Sequence, residues 1–95
     1  MAVNQAELEK AVLANEEAEM AKEKAALVKK EHSMEMDRAQ GHVKASKAKL
    51  DKTSSSDIAY VATNALHEKN KVELVKTDAK LELAKARLKE ASAEH

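Results

Sequence analysis

The 95-residue chain carries 17 basic and 17 acidic residues, so its formal net charge is zero, and it has one glycine and no proline, cysteine, tryptophan or phenylalanine. The lack of cysteine excludes a disulfide scaffold and cysteine-based metal sites, and no apolar run is long enough to cross a membrane. Strong helix formers (Ala, Lys, Glu and Leu) dominate the composition, which favours long helices over a sheet.

Two helices joined by a short turn are predicted, in a single all-α domain over residues 1–95. The first helix spans about residues 5–52 and begins at a capping box, in which Asn4 accepts the amide of Glu7 and the Glu7 side chain reaches back. The turn covers residues 53–56, and Ser54 with Asp57 repeats the capping pattern before a second helix over about residues 57–93. Gly41 is the weak point of the first helix and a possible bend, since glycine costs about 1 kcal/mol against alanine.

Each helix has a first apolar row whose steps alternate between three and four residues, as in coiled coils. In the first helix this row contains one stutter, between Val28 and Met36. Its members are Ala11, Ala14, Ala18, Ala21, Ala25, Val28, His32, Met36, Ala39, Val43, Ser46 and Leu50. The first row of the second helix is Ile58, Val61, Ala65, Glu68, Val72, Val75, Ala79, Glu82, Ala86, Lys89 and Ala93.

Each helix also has a second row, in steps of seven, nearly opposite the first because two residues turn about 200° around a helix. In the first helix it is Leu13, Met20, Leu27, Met34, Gly41 and Ala48; in the second it is Tyr60, His67, Leu74, Leu81, Leu88 and His95. A single hairpin cannot bury both sides of both helices. The sequence therefore predicts assembly into a four-helix bundle or a larger helical oligomer.

The short turn predicts an antiparallel, coiled-coil-like hairpin with an Ala-rich contact. Folding the chain about Ser54 pairs first row with first row and second row with second row, for example Met36 with Val72 and Leu27 with Leu81. The residues predicted to form the interface between chains belong to the second rows: Leu13, Met20, Leu27, Met34, Leu74, Leu81 and Leu88.

These patterns favour a non-enzymatic structural or interaction protein that binds other copies of itself or a partner helix. A protein of another class stays open: an amphipathic, lipid- or stress-associated chain, disordered until bound. A third interpretation is a weak metal carrier using His32 and Met36. His32 and His67 both lie in apolar rows, where protonation of either histidine would place a charge among apolar side chains. A structure that responds to pH is therefore a further hypothesis.

No motif for catalysis or cofactor binding is found, so neither an enzyme, a cofactor nor a metal site is expected. Basic residues are densest at Lys44, Lys47, Lys49 and Lys52, but aromatic residues for base stacking are lacking, so nucleic-acid binding is not expected. Binding to a membrane surface is disfavoured by zero net charge and missing aromatic anchors. No signal peptide is recognised, which favours a cytoplasmic location, with signal-independent export still open.

Overall fold

The protein is an antiparallel hairpin of two long α-helices. A computed structural model describes residues 4–94, with α1 at Gln5–Asp51 and α2 at Ile58–Glu94. The hairpin is a rod of 86 × 15 × 13 Å, and the two helices pack against each other along it. The predicted all-α helical hairpin is thus confirmed. His95, a predicted member of the second row of α2, lies outside the described residues.

Both helices begin at a side chain that accepts a backbone amide, although the contacts differ from the predicted capping boxes. Asn4 Oδ1 accepts the amide of Ala6, 3.2 Å away, and not that of Glu7. Asp57 caps α2, because its Oδ1 accepts the amide of Ala59 at 3.0 Å. A carboxylate at this position accepts the amide as a serine hydroxyl would, and its negative charge also interacts favourably with the positive end of the helix dipole.

Gly41 does not break α1, which runs through it as continuous helix. It has an ordinary helical backbone, and a Cβ added there would meet nothing within 4 Å. The glycine therefore occupies an open position on the outer side of the hairpin.

The contact between the helices uses the first row of α1 but the second row of α2. On α1, Ala39 and Ser46 are buried and the neighbouring members of the first row are half-buried. The inner face of α2 repeats in steps of three and four. It consists of Tyr60, Thr63, His67, Asn70, Leu74, Thr77, Leu81, Ala84, Leu88 and Ala91.

The predicted pairing of like rows is therefore wrong for α2. Its first row points outward: Ile58 is 92% exposed and Val75 is 70% exposed. The physical reason is charge, because turning this row inward would bury Glu68, Glu82 and Lys89 without partners, whereas the observed face carries only uncharged polar groups. It also brings Leu74 and Leu88 of α2 opposite the small residues Ala39 and Ala25 of α1.

The register of the hairpin also differs from the prediction. Ser46, and not Gly41, lies opposite His67, with 2.7 Å between Oγ and Nδ1. The Asn70 amide donates to the carbonyl of His42 at 3.3 Å. Facing residues thus add up to about 112 instead of 108, which shifts the helices by about one turn.

The core that results is thin. The buried apolar residues are Ala39, Leu81 and Ala84, and no side chain is more than 98% buried among the described residues. Buried polar residues outnumber them, with Ser46, Thr63, His67 and Thr77 between the helices. Neither described helix contains a stretch that is apolar enough to traverse a bilayer.

Candidate interaction surface

The outer side of α1 carries a row of large apolar side chains, here called the Leu/Met row: Leu13, Met20, Leu27 and Met34. Their exposed fractions are 55%, 67%, 62% and 57%. Because the residues follow one another at intervals of seven, they lie along one side of the helix. Four of the seven predicted interface residues are therefore exposed along one side of α1, with charged residues at the positions between them.

The other three predicted interface residues lie inside the hairpin. Leu81 is 8% exposed, and Leu74 and Leu88 are half-buried on the inner face of α2. The structure thus does not bring the seven residues together in one surface. Leu74, Leu81 and Leu88 hold the two helices of one chain together, and of the seven residues only those of the Leu/Met row are exposed to another chain.

A second apolar strip lies on the outer side of α2 and was assigned to the hairpin contact by sequence reasoning. We call it the α2 outer row: Ile58, Val61, Val72 and Val75. Val61 is 74% exposed and Val72 is 51% exposed. Ala65 and Glu68 occupy the two positions of the same row between Val61 and Val72, and the charged Glu68 interrupts the apolar strip.

The charges of the two helices are engaged differently. In α2, lysines bind glutamates one turn away: Lys71 with Glu68 at 2.9 Å, Lys76 with Glu73 at 3.9 Å and Lys85 with Glu82 at 3.2 Å. The hydrogen bond from Lys71 lowers the pKa of Glu68 below its ordinary value of 4.5.

Four charged residues beside the Leu/Met row of α1 lack such partners. Glu9, Glu17, Arg38 and Lys44 are exposed, and none forms an ion pair with another described residue. They flank the row because they lie three or four positions from Leu13 or Gly41.

The beginning of α1 extends past the end of α2. In the observed register α2 ends opposite about residue 18, and every residue of 5–17 is exposed. This segment, the α1 extension, contains four glutamates and one lysine, a net charge of −3. Near the turn, residues 37–49 contain four basic residues and one aspartate, a net charge of +3.

Polar groups between the helices near the turn satisfy one another. Ser46 Oγ donates to the carbonyl of Val43 at 3.1 Å, so its bond to His67 is complete when Nδ1 of His67 carries the proton. Thr63 Oγ1 donates to the carbonyl of Ala59 at 2.8 Å. Although serine and histidine can act as nucleophile and base, this pair is buried between the helices at 6% and 7% exposure and serves as a structural contact.

The histidine of the hypothetical metal pair has a different partner. His32 Nδ1 lies 3.4 Å from a carboxylate oxygen of Glu35. Within residues 4–94 no three histidine, aspartate or glutamate side chains converge as a metal site would require. His32 and Met36 thus stay an untested pair of potential ligands, with no third group beside them.

Shallow grooves run between the helices at two places along the hairpin. One of about 270 Å³ is lined mainly by polar and charged residues, among them Glu35, Arg38 and Glu73. Another, of about 240 Å³, is lined by Ala21, Lys24, Ala25, Val28, Ala84 and Arg87. Both volumes lie below the roughly 300–1,000 Å³ that is usual for a ligand pocket.

No family model, curated protein or solved structure matches the chain. The two exposed apolar rows and the unequal charges at the two ends of α1 are therefore the features from which a function can be inferred.

Proposed function

We propose that the protein is a non-enzymatic helical interaction module that works as an oligomer of identical hairpins. The single observation that carries the proposal is the surface area of one hairpin, 7522 Å². A compact protein of 10.4 kDa would expose about 5,400 Å². The rod thus exposes about 2,100 Å² more than a self-sufficient domain of its mass.

The same comparison can be made with the unfolded chain. An unfolded chain of this mass exposes about 15,000 Å², so the hairpin buries about half of it, less than the roughly 60% that even a 60-residue domain buries. Because burial of apolar surface must outweigh the loss of conformational entropy, one hairpin lacks sufficient burial. Among the residues that the structure describes, twelve large apolar side chains are exposed and one, Leu81, is buried.

A second copy of the chain is the partner favoured by this area. If each of two copies buried its excess surface of about 2,100 Å² against the other copy, the interface would bury about 4,000 Å² in total. That area is within the usual range of obligate homodimers. In such proteins folding and assembly are one equilibrium, so helix content depends on protein concentration.

The test is light scattering on a sizing column combined with far-UV circular dichroism, both over a hundredfold range of concentration in plain buffer. We expect a mass of at least twice 10.4 kDa at high concentration, and a loss of helix signal as the oligomer dissociates. A fully helical monomer at every concentration would overturn the proposal. A chain that becomes helical only when lipid vesicles are added would instead support the surface-bound alternative.

Leu27→Glu and Val75→Glu form a matched pair for locating the surface, since the two side chains are 62% and 70% exposed. If the Leu/Met row is the main interface, Leu27→Glu lowers the measured mass and Val75→Glu leaves the smallest oligomer intact. If the α2 outer row dominates, the two results are exchanged.

A further inference from the structure

The α1 extension is uncovered in its own hairpin, and its charge is opposite to that of the turn-proximal part of the same helix. The net charge is −3 for residues 5–17 and +3 for residues 37–49. When two copies of one helix lie antiparallel, the beginning of each lies against the end of the other. The ends of α1 are therefore complementary to those of a second, antiparallel α1.

We infer that two hairpins pair through antiparallel α1 helices, with the Leu/Met rows in contact and a two-fold axis at Leu27. The inference rests on the proposed self-association and specifies its geometry. Leu27 lies within a residue of the midpoint of α1, so this register lets the two helices overlap along nearly their whole length. The contact is isologous and closes at two copies.

The apolar residues are complementary in this register. Leu27 faces Leu27 of the second copy, and Met20 faces Met34. Leu13 faces Gly41, where the missing side chain leaves space for a leucine. The partner's turn-proximal segment thus covers the α1 extension, the part of α1 that α2 leaves bare.

The charges beside the row select the same register. Glu17 lies beside Arg38 of the second copy and Glu9 beside Lys44, and the two-fold axis repeats each contact. Moving the axis by half a heptad places the α1 extension against residues 30–42, with a net charge of −1, and moving it to Met20 places it against residues 23–35, with a net charge of 0. Moving the axis half a heptad toward the turn places the extension against residues 44–56, with a net charge of +3, but residues 52–56 lie beyond the end of α1. Of these positions, the axis at Leu27 is the one that sets opposite charges against each other with helix along the whole extension.

Charge reversal tests this pairing without touching an apolar residue. Variant A is Glu9→Lys with Glu17→Lys, and variant B is Arg38→Glu with Lys44→Glu. In a pair of A chains the lysines introduced by Glu9→Lys and Glu17→Lys lie beside Lys44 and Arg38. In a pair of B chains Glu9 and Glu17 lie beside the glutamates introduced by Lys44→Glu and Arg38→Glu. Both pairs therefore bring like charges together. In a mixed pair of A and B all four contacts join opposite charges.

At low salt we expect the dimer dissociation constants of A and of B alone to rise about ten- to hundredfold over wild type. An equimolar mixture, or a chain with all four substitutions, recovers wild-type affinity. The control is Asp78→Lys with Glu90→Lys on α2, which changes the net charge as variant A does and leaves the affinity within about threefold.

Three other results are possible, and each has a definite meaning. If A and B alone associate as wild type does, the α1 pairing is wrong while self-association stands. If A, B and their mixture are all weakened, the charges matter but this register is wrong. If wild type is monomeric, the proposed function fails, independently of the register.

Cross-linking locates the axis directly, since the natural chain has no cysteine. Leu27→Cys alone should form a disulfide-linked dimer under mild oxidation, because a residue on the axis faces its own copy within disulfide reach. Met20→Cys and Met34→Cys should cross-link when mixed and not alone. Self-cross-linking of Met20→Cys with none at residue 27 would overturn the register.

Discussion

The two helices carry similar residues on opposite sides. In α1 the large side chains of the Leu/Met row face outward, and alanines and Ser46 face α2. In α2 the leucines face inward, and the β-branched residues of the α2 outer row face solvent. In the observed register Leu74 and Leu88 lie opposite Ala39 and Ala25, so that large side chains of α2 meet small ones of α1 at these two positions.

This difference shows that spacing alone does not identify the side of a helix that faces its neighbour. Leu27 and Leu81 both belong to rows repeating every seven residues, yet one is 62% exposed and the other 8% exposed. In the observed register Leu81 lies opposite His32 of α1, whereas Leu27 lies on the side of α1 that faces away from α2. The charged residues that the other row of α2 would bury, and not the spacing, therefore decide which row becomes the inner one.

The largest effect is expected where this contrast is tested with one substitution at both leucines. Leu81→Glu places a carboxylate between the helices, and we expect it to lower the free energy of unfolding by about 3 kcal/mol or more. In a rod with so thin a core that loss removes most helix content at any concentration, as far-UV circular dichroism would show.

Leu27→Glu, the matched variant, should reduce the solution mass measured by light scattering. At concentrations where the chain still associates through other residues, it should leave the helix content intact. If Leu81→Glu folded as wild type does, the inner face of α2 would be misassigned. The two leucines therefore cannot be combined in one test of assembly, because Leu81 acts within the chain.

The next effect concerns the small residues of the α1 contact. Ala39→Leu introduces three heavy atoms at a position that is 8% exposed, and overpacking there should cost about 1–3 kcal/mol. Ala26→Leu, on an exposed position of the same helix, should change stability by less than about 0.5 kcal/mol. Urea unfolding of both variants measures this, and equal stabilities would mean that alanine is not required for the approach of the helices.

A smaller effect is expected at the polar contact near the turn. Ser46→Ala leaves Nδ1 of His67 buried without a partner, at a cost of about 1–2 kcal/mol. Replacing both, as Ser46→Ala with His67→Leu, should cost less than the two single changes added together, because neither group is then left unpaired. Strict additivity in urea unfolding would show that the 2.7 Å contact does not couple the two residues.

The sequence was sufficient to predict the hairpin because its signals are local. Asn4 and the serine cluster before Asp57 mark the helix starts, and the missing prolines let both helices run uninterrupted. The pairing of the rows depends on which residues meet across the hairpin, and these are far apart in the sequence. If the other row of α2 faced inward, for example, Glu68 would be buried between the helices. The charged residues beside the Leu/Met row could have been noticed from the opposite net charges of residues 5–17 and 37–49, a signal that a count over longer segments averages out.

The smallest effect concerns the ion pairs that distinguish the surface of α2. The Nζ of Lys71 donates a hydrogen bond to the Glu68 carboxylate and holds the pKa of Glu68 below 4.5 in the folded chain. A carboxyl whose pKa is lowered by folding stabilises the fold above its unfolded pKa, and that contribution disappears as the pH falls through the folded pKa. Because Glu68 is exposed, the contribution is small.

An NMR titration of the Glu68 side chain should therefore show its pKa rising toward 4.5 in Lys71→Met and unchanged in Lys80→Met. Identical titrations in all three chains would mean that Lys71 does not engage Glu68 in solution. The charges of α2 would then be as available to a partner as those of α1, and the preference for α1 as the pairing helix would depend on the Leu/Met row and the net charges of its ends. A raised pKa confined to Lys71→Met would instead show that α2 satisfies the charge of Glu68 within itself.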